Sequence, residues 1–153
     1  LGEVFSEKNP QKAIGYFSKA LEIDANFFQA YIKLGALHET QKNWKEMLNT
    51  FTNLEVFANK PEAKKIRAKV IADALLKKGL ANFQLRNFKE AITDLEAMLK
   101  EKPNKSNIGA GNYYIGMSYK GLEDKNKAEA YFKKVDGSFK ESAVYELKYL
   151  KAE

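Results

Sequence analysis

Apolar residues along this chain recur at intervals of three and four, the period of an α-helix packed on one side. Residues 10–23 place Ala13, Ile14, Phe17, Ala20 and Leu21 on one stripe. Residues 88–99 do the same with Phe88, Ala91, Ile92, Leu95, Met98 and Leu99. No segment sustains the two-residue alternation of a half-buried strand. Three prolines and nine glycines fall at intervals rather than in clusters. The pattern predicts an all-α chain.

The helix starts repeat. "NWKE" at 43–46 and "NFKE" at 87–90 both put an Asn where its side chain can accept from first-turn N–H groups. A Glu follows three residues later, placed to reach back to the Asn N–H. Asn9, ahead of Pro10, and Asp124, ahead of "KNKAE", extend the series, so helices are expected to start at caps 9, 43, 87 and 124. Four residues after these caps come Ala13, Met47, Ala91 and Ala128, and eight after come Phe17, Phe51, Leu95 and Phe132. Eleven after come Ala20, Leu54, Met98 and Val135. Gly35, Gly79 and Gly116 each stand eight residues before a cap, with Gly2 one residue out of step. The cap intervals are 34, 44 and 37 residues. A two-helix unit of about this length cannot bury its apolar face alone, so stacked neighbours must supply the core.

With "YIKLGALH" at 31–38, "LLKKGLAN" at 75–82, "NYYIGMSY" at 112–119 and "AITDLEAMLKEKP" at 91–103, the chain resembles the tetratricopeptide repeat family over nearly its whole length. His38 and Asn82 stand where that pattern has Tyr. The resemblance implies a right-handed α-solenoid of antiparallel helix pairs. Its expected parts are a truncated first repeat at 1–25, full repeats at 28–60, 61–104 and 107–137, and a capping helix at 138–153. "LGEVF" reads as the tail of a first helix, with further repeats expected upstream. The 44-residue interval contains about ten extra residues, and nothing breaks the helical period from Pro61 to about Gln84. One first helix should therefore be about three turns longer than its siblings and project past the edge of the stack. The last helix is expected to open with Gly137 and a Ser138/Glu141 capping box. Its apolar side, Phe139, Ala143, Leu147 and Leu150, would close the stack.

Charge alters this picture little. The net charge is +6, yet 20 acidic residues are interspersed with the basic ones. Even the densest basic run, "KKIRAK" at 64–69, reads as the solvated face of a helix. Cysteine is absent, which removes disulfides, thiolate catalysis and the common zinc sites. Compartment stays open, the cytoplasm being favoured and the periplasm allowed if a leader was removed. No apolar run is long enough to span a bilayer, and each apolar stripe is claimed by a neighbouring helix.

Candidate chemistry is sparse. His38, the one histidine, has no Cys or second His to join it in a metal site and reads as a packing residue. "GAGNYYIG" at 109–116 has spaced glycines but no preceding strand, so a dinucleotide loop is rejected in favour of a loosened helix entry after Pro103. Asp124 and Glu129 lie on polar faces. Neither an enzyme nor a cofactor is expected.

What remains is the concave surface that the resemblance implies. The family's ligand-facing positions fall here on Gln29, Ile32, Ala36, Glu39 and Thr40, on Asp73, Leu76, Leu80, Phe83 and Gln84, and on Ala110, Tyr113, Met117, Lys120 and Gly121. The Lys, Asn and Arg set with which some members clamp a terminal carboxylate is absent. An apolar strip replaces it: Ile32, Leu76, Leu80, Phe83, Tyr113 and Met117, rimmed by Gln29, Lys33, Lys77, Gln84 and Lys120. Such a strip is expected to take an amphipathic helix or extended segment of a protein partner, with acidic residues at the rim. The competing expectation is that curvature buries several of these residues against adjacent helices. Two other functions compete with partner binding. Self-assembly would proceed through the N-terminal edge or the Tyr145/Tyr149 side of the last helix. Nucleic-acid binding by a basic solenoid is disfavoured by the mixed charge.

Overall fold

A computed structural model describes residues 9–150. The "LGEVF" segment therefore lies outside the described residues, as does Gly2. Eight α-helices are present among the described residues: α1 (Pro10–Ile23), α2 (Phe28–Thr40), α3 (Trp44–Ala58), α4 (Lys64–Gln84), α5 (Phe88–Leu99), α6 (Lys105–Gly121), α7 (Lys125–Phe132) and α8 (Lys140–Leu150). Short 3-10 turns at Pro61–Ala63 and Gly137–Phe139 lead into α4 and α8. No strand occurs among the described residues.

The chain divides into two compact units, one running to Arg67 and one starting at Ala68. In the first, α2 packs against both α1 and α3. In the second, α6 packs against α5 and α7, and the Gly137–Phe139 turn seats on α6 while α8 packs on α7.

One turn geometry closes the hairpins α2–α3, α4–α5 and α6–α7. The residues before the caps, Lys42, Arg86 and Glu123, all have left-handed backbones, with φ of 56°, 64° and 63°. The cap N–H then donates back across the turn: Asn43 to the His38 carbonyl (2.8 Å), Asn87 to Asn82 (2.8 Å) and Asp124 to Tyr119 (2.9 Å). This six-to-one bond satisfies a helix-end carbonyl that would otherwise be orphaned. It uses backbone alone, so His38, Asn82 and Tyr119 serve equally well at the accepting position.

Within each hairpin the helices touch at the predicted register. A β-carbon on Gly35 would lie 2.4 Å from the Phe51 ring, one on Gly79 2.6 Å from Leu95, and one on Gly116 2.7 Å from Phe132. Only glycine permits so close a crossing. Ala13, Met47, Ala91 and Ala128, four residues after the caps, are all fully buried. So are Leu54 and Met98, with Val135 nearly so, while Phe17 and Ala20 in α1 are only partly buried.

Several local expectations are corrected. Asn9 and Asp124 cap as expected, accepting from Lys12 N (3.1 Å) and Lys127 N (3.2 Å). Asn43 and Asn87 hold the cap position without a side-chain cap bond. Asn87 instead donates to Asn82 Oδ1 (3.2 Å), whose Nδ2 donates to Asp94 Oδ2 (2.7 Å), and Lys78 pairs with Asp94 at 3.3 Å. Asn82, standing where the repeat pattern has Tyr, thus ties α4 to α5 through a buried polar chain. The entry to α6 is not loosened: Asn104 caps it by accepting from Asn107 N (2.8 Å). Gly109 and Gly111 face Asp136 O and the Met98 methyl, and a β-carbon on either would come within 2.6 Å of those atoms. These glycines make room for neighbours. The Ser138/Glu141 box does not form. Gly137, at φ 78°, starts a 3-10 turn that lacks a side-chain cap bond.

The helix expected to be long has 21 residues after its 3-10 turn, against 13 in α2 and 17 in α6. Ala63, Val70 and Ile71 are buried along one side, and Arg67 Nε donates to Asn59 Oδ1 at 2.9 Å. Exposed Lys64, Lys65 and Lys69 form the solvated face that "KKIRAK" predicted.

Candidate binding groove

The six strip residues are distributed over both units. In the first unit, Ile32 on α2 is 39% exposed and Gln29 and Lys33 flank it in solvent. The three line a cavity of about 340 Å³ with Phe17, Phe27 and Ala30. A second cavity, about 480 Å³, is lined by Pro10, Phe17, Lys33, Ala36, Leu37, Thr40 and Gln41. Phe17 and Lys33 belong to both, so groove-facing positions of α2 border open space along most of the helix.

In the second unit the strip is unevenly open. Leu76 is buried at 7% exposure, because α4 is covered over a wide arc from Val70 to Asn82 and Leu76 falls inside it. It is a core residue. Leu80, Phe83, Tyr113 and Met117 are half-buried, as is the rim residue Lys77. The Phe83 ring meets Tyr114 edge-on at 5.3 Å and Phe88 at 5.9 Å. Tyr113 stacks on Phe139 at 5.0 Å and contacts Tyr114 at 5.1 Å. Offset and edge-on contacts of this kind fix ring orientation, so the wall is preformed. Burial raises the Tyr113 phenol above its ordinary range, with the Glu146 and Tyr114 charges adding to the effect. Met117 packs on the core of Ala128, Phe132, Val135, Ala143 and Leu150 and keeps part of its surface open.

Lys120 is not the free rim charge expected from sequence. Its Nζ sits 2.7 Å from Oε2 of Glu146, a buried residue of α8. Glu146 is twenty-six residues away in sequence, and no local pattern announces the pair.

A cavity of about 430 Å³ opens at this end, lined by Phe83, Gln84, Arg86, Phe88, Met117, Lys120 and Gly121. Sequence reasoning placed Phe83, Gln84, Met117 and Lys120 on the groove but missed Arg86 and Phe88. The Arg86 guanidinium lies over the Phe88 ring at 5.4 Å. A β-carbon on Gly121 would meet that ring at 2.5 Å. The available signal was the position of Arg86 immediately before a cap, equivalent to Lys42 and Glu123.

His38 is buried, and its Nδ1 has no hydrogen-bond partner. Burial lowers its pKa, opposed by the Glu46 charge. Among the described residues no group of three or more His, Cys, Asp or Glu could hold a metal ion. No helix among them is long and apolar enough to cross a membrane. Asp124 serves as a cap, and Glu129 pairs with Lys133 at 2.9 Å.

Residues 73–105 and 111–138 each match a family model described as tetratricopeptide repeat. No curated protein matches the sequence. Among solved structures, a crystal structure titled as that of MamA protein is similar over 96% of this chain and 74% of its own, at 26% identity and a TM-score of 0.71. A second MamA crystal structure aligns over 87% of this chain and 71% of its own, at 20% identity and a TM-score of 0.72. The MamA RS-1 ArsTM double mutant aligns over 86% and 67%, at 16% identity and a TM-score of 0.68. These likenesses establish an all-α helical-repeat fold.

Proposed function

Because residues 73–105 and 111–138 of this chain are tetratricopeptide repeats, we propose that it is a non-catalytic protein–protein interaction scaffold that holds a segment of its partner against the first helices of its repeats. Repeats of this family support that general role. The finer reading rests on one observation: positions facing the expected groove line cavities in both units. Gln29, Ile32 and Lys33 line one, while Phe83, Gln84, Met117 and Lys120 line another. Half-buried apolar side chains beside open space can be desolvated by a partner at little ordering cost, since packing already holds them.

In the second unit the segment would be an amphipathic helix or an extended strand laying its apolar side on Leu80, Phe83, Tyr113 and Met117, and in the first unit Ile32 would offer an apolar contact of its own. Gln29, Lys33, Lys77 and Gln84 would meet polar or acidic flanks. Leu76 supports the wall from within. The repeat boundaries proposed from sequence, 28–60, 61–104 and 107–137, accompany this reading.

A random-peptide display selection tests it. Peptides enriched on the native protein should carry apolar anchors and bind a Leu80→Asp/Met117→Asp variant at least tenfold more weakly, the variant keeping its helical circular dichroism. Enrichment of peptides that bind that variant equally well, or no enrichment at all, would refute the groove.

A further inference from the structure

The cavity beside Arg86 has a charge balance that the groove reading alone does not supply. Its lining combines apolar Phe83, Phe88 and Met117 with polar Gln84, Arg86 and Lys120, and no carboxylate lines it among the described residues. The two cations are not equivalent. Lys120 is neutralised by Glu146 at 2.7 Å. Arg86 is exposed and has no carboxylate partner among the described residues; its guanidinium rests on the Phe88 ring. With its Cζ 5.4 Å from the Phe88 ring centre, the guanidinium can keep N–H donors available for a carboxylate.

The position of Arg86 is also fixed. Its backbone is left-handed at φ 64°, its N–H donates to the Phe83 carbonyl at 2.9 Å, and the next residue closes the six-to-one bond. At the equivalent turn of the following hairpin stands Glu123, the opposite charge. The preceding equivalent turn carries Lys42, so the charge at this turn position differs from hairpin to hairpin.

We propose that this cavity is the specificity pocket of the groove, taking an aliphatic or aromatic anchor of a partner protein whose neighbouring carboxylate pairs with Arg86. The proposal rests on the groove reading and adds the partner's chemistry: an acidic segment carrying one apolar anchor. Glu146 shows the same recognition made internally, a carboxylate seated on Lys120 beside Met117. Because that charge is already matched, a partner carboxylate is directed to Arg86. A volume of about 430 Å³ accommodates a large side chain together with its neighbours.

Fluorescence polarisation on the whole chain tests this, with a fluorescein-labelled Glu-Asp-Glu-Phe-Asp-Glu amide as the probe. Two control peptides are used, one with Ser replacing Phe and one with Lys replacing every acidic residue. The acidic Phe probe should bind best, and more weakly as salt rises. Arg86→Glu should lose about tenfold, the value of one charge-assisted contact, and should gain affinity for the Lys-flanked probe. Arg86 is exposed in a turn, so an unchanged melting curve is expected to accompany the loss. Met117→Ala should weaken the Phe probe but not the Ser control. Three results would overturn the pocket: no binding of the acidic Phe probe, equal binding by Arg86→Glu, or equal competition by a uridine oligonucleotide. If peptides from the display selection respond to Leu80→Asp/Met117→Asp while Arg86→Glu leaves them unaffected, the groove stands and the Arg86 pocket falls.

Discussion

The Cα of Gly79 lies so close to the Leu95 side chain that a β-carbon there would stand 2.6 Å from Leu95 Cγ. Leu95 is fully buried and cannot swing aside. Gly79→Ala should therefore destabilise by about 1–3 kcal/mol through overpacking, only partly offset by about 1 kcal/mol of helix propensity. Gly15 lies in the exposed middle of α1, where an added β-carbon would meet nothing within 4 Å beyond its own helix. Gly15→Ala should stabilise by about 0.5–1 kcal/mol. Urea unfolding of the two variants should move the midpoint in opposite directions.

Lys42 and Glu123 hold left-handed backbones at φ 56° and 63°. A residue with a β-carbon gives up roughly 1–2 kcal/mol in that conformation. Lys42→Gly and Glu123→Gly should each raise the melting temperature, by less than the full strain because glycine also loosens the unfolded chain. A lowered melting temperature in both would show that the turn geometry is misassigned.

His38 gives a pH dependence of definite sign. Burial depresses its folded pKa below the ordinary value of about 6.5. As pH falls from about 6.5 toward the folded pKa, the unfolded chain takes up a proton before the folded one, so stability falls in that window and is complete above it. His38→Phe removes both the titration and the unpartnered Nδ1. Denaturation between pH 5 and pH 8 should show a decline on the acid side in the native chain, reduced in the variant.

The Lys120–Glu146 pair joins α6 to α8 with both side chains partly or largely shielded from solvent. Removing one partner leaves the other poorly solvated, so Glu146→Ala should cost about 1–3 kcal/mol. Amide exchange in α8 should accelerate before that in α6. Uniform acceleration across the second unit would contradict a local latch.

Much of the fold was legible because it is written in residue spacing. The cap register predicted buried residues in α3, α5 and α7 but not Phe17 and Ala20 in α1, and the glycines eight residues upstream marked the helix crossings. Side-chain bonds were less legible. Asn87 sits at a cap, but Asn82 draws its amide away, and that competition depends on which residue faces α5 at position 82. Leu76 and Leu80 look alike in sequence and lie one helical turn apart; only packed neighbours decide that the first is core and the second half-open. Lys120 reads as a surface lysine until α8 brings Glu146 to it. Arg86 was invisible as a site residue because its placement over Phe88 depends on a left-handed turn.

The groove itself is tested most directly by methyl NMR of the selectively labelled protein, titrated with a peptide from the display selection. Leu80 and Met117 methyl signals should shift together and saturably, while those of Val56 and Val144, exposed on α3 and α8, stay in place. Saturable shifts confined to Val56 or Val144, with Leu80 and Met117 unmoved, would place the partner on another surface and contradict the account.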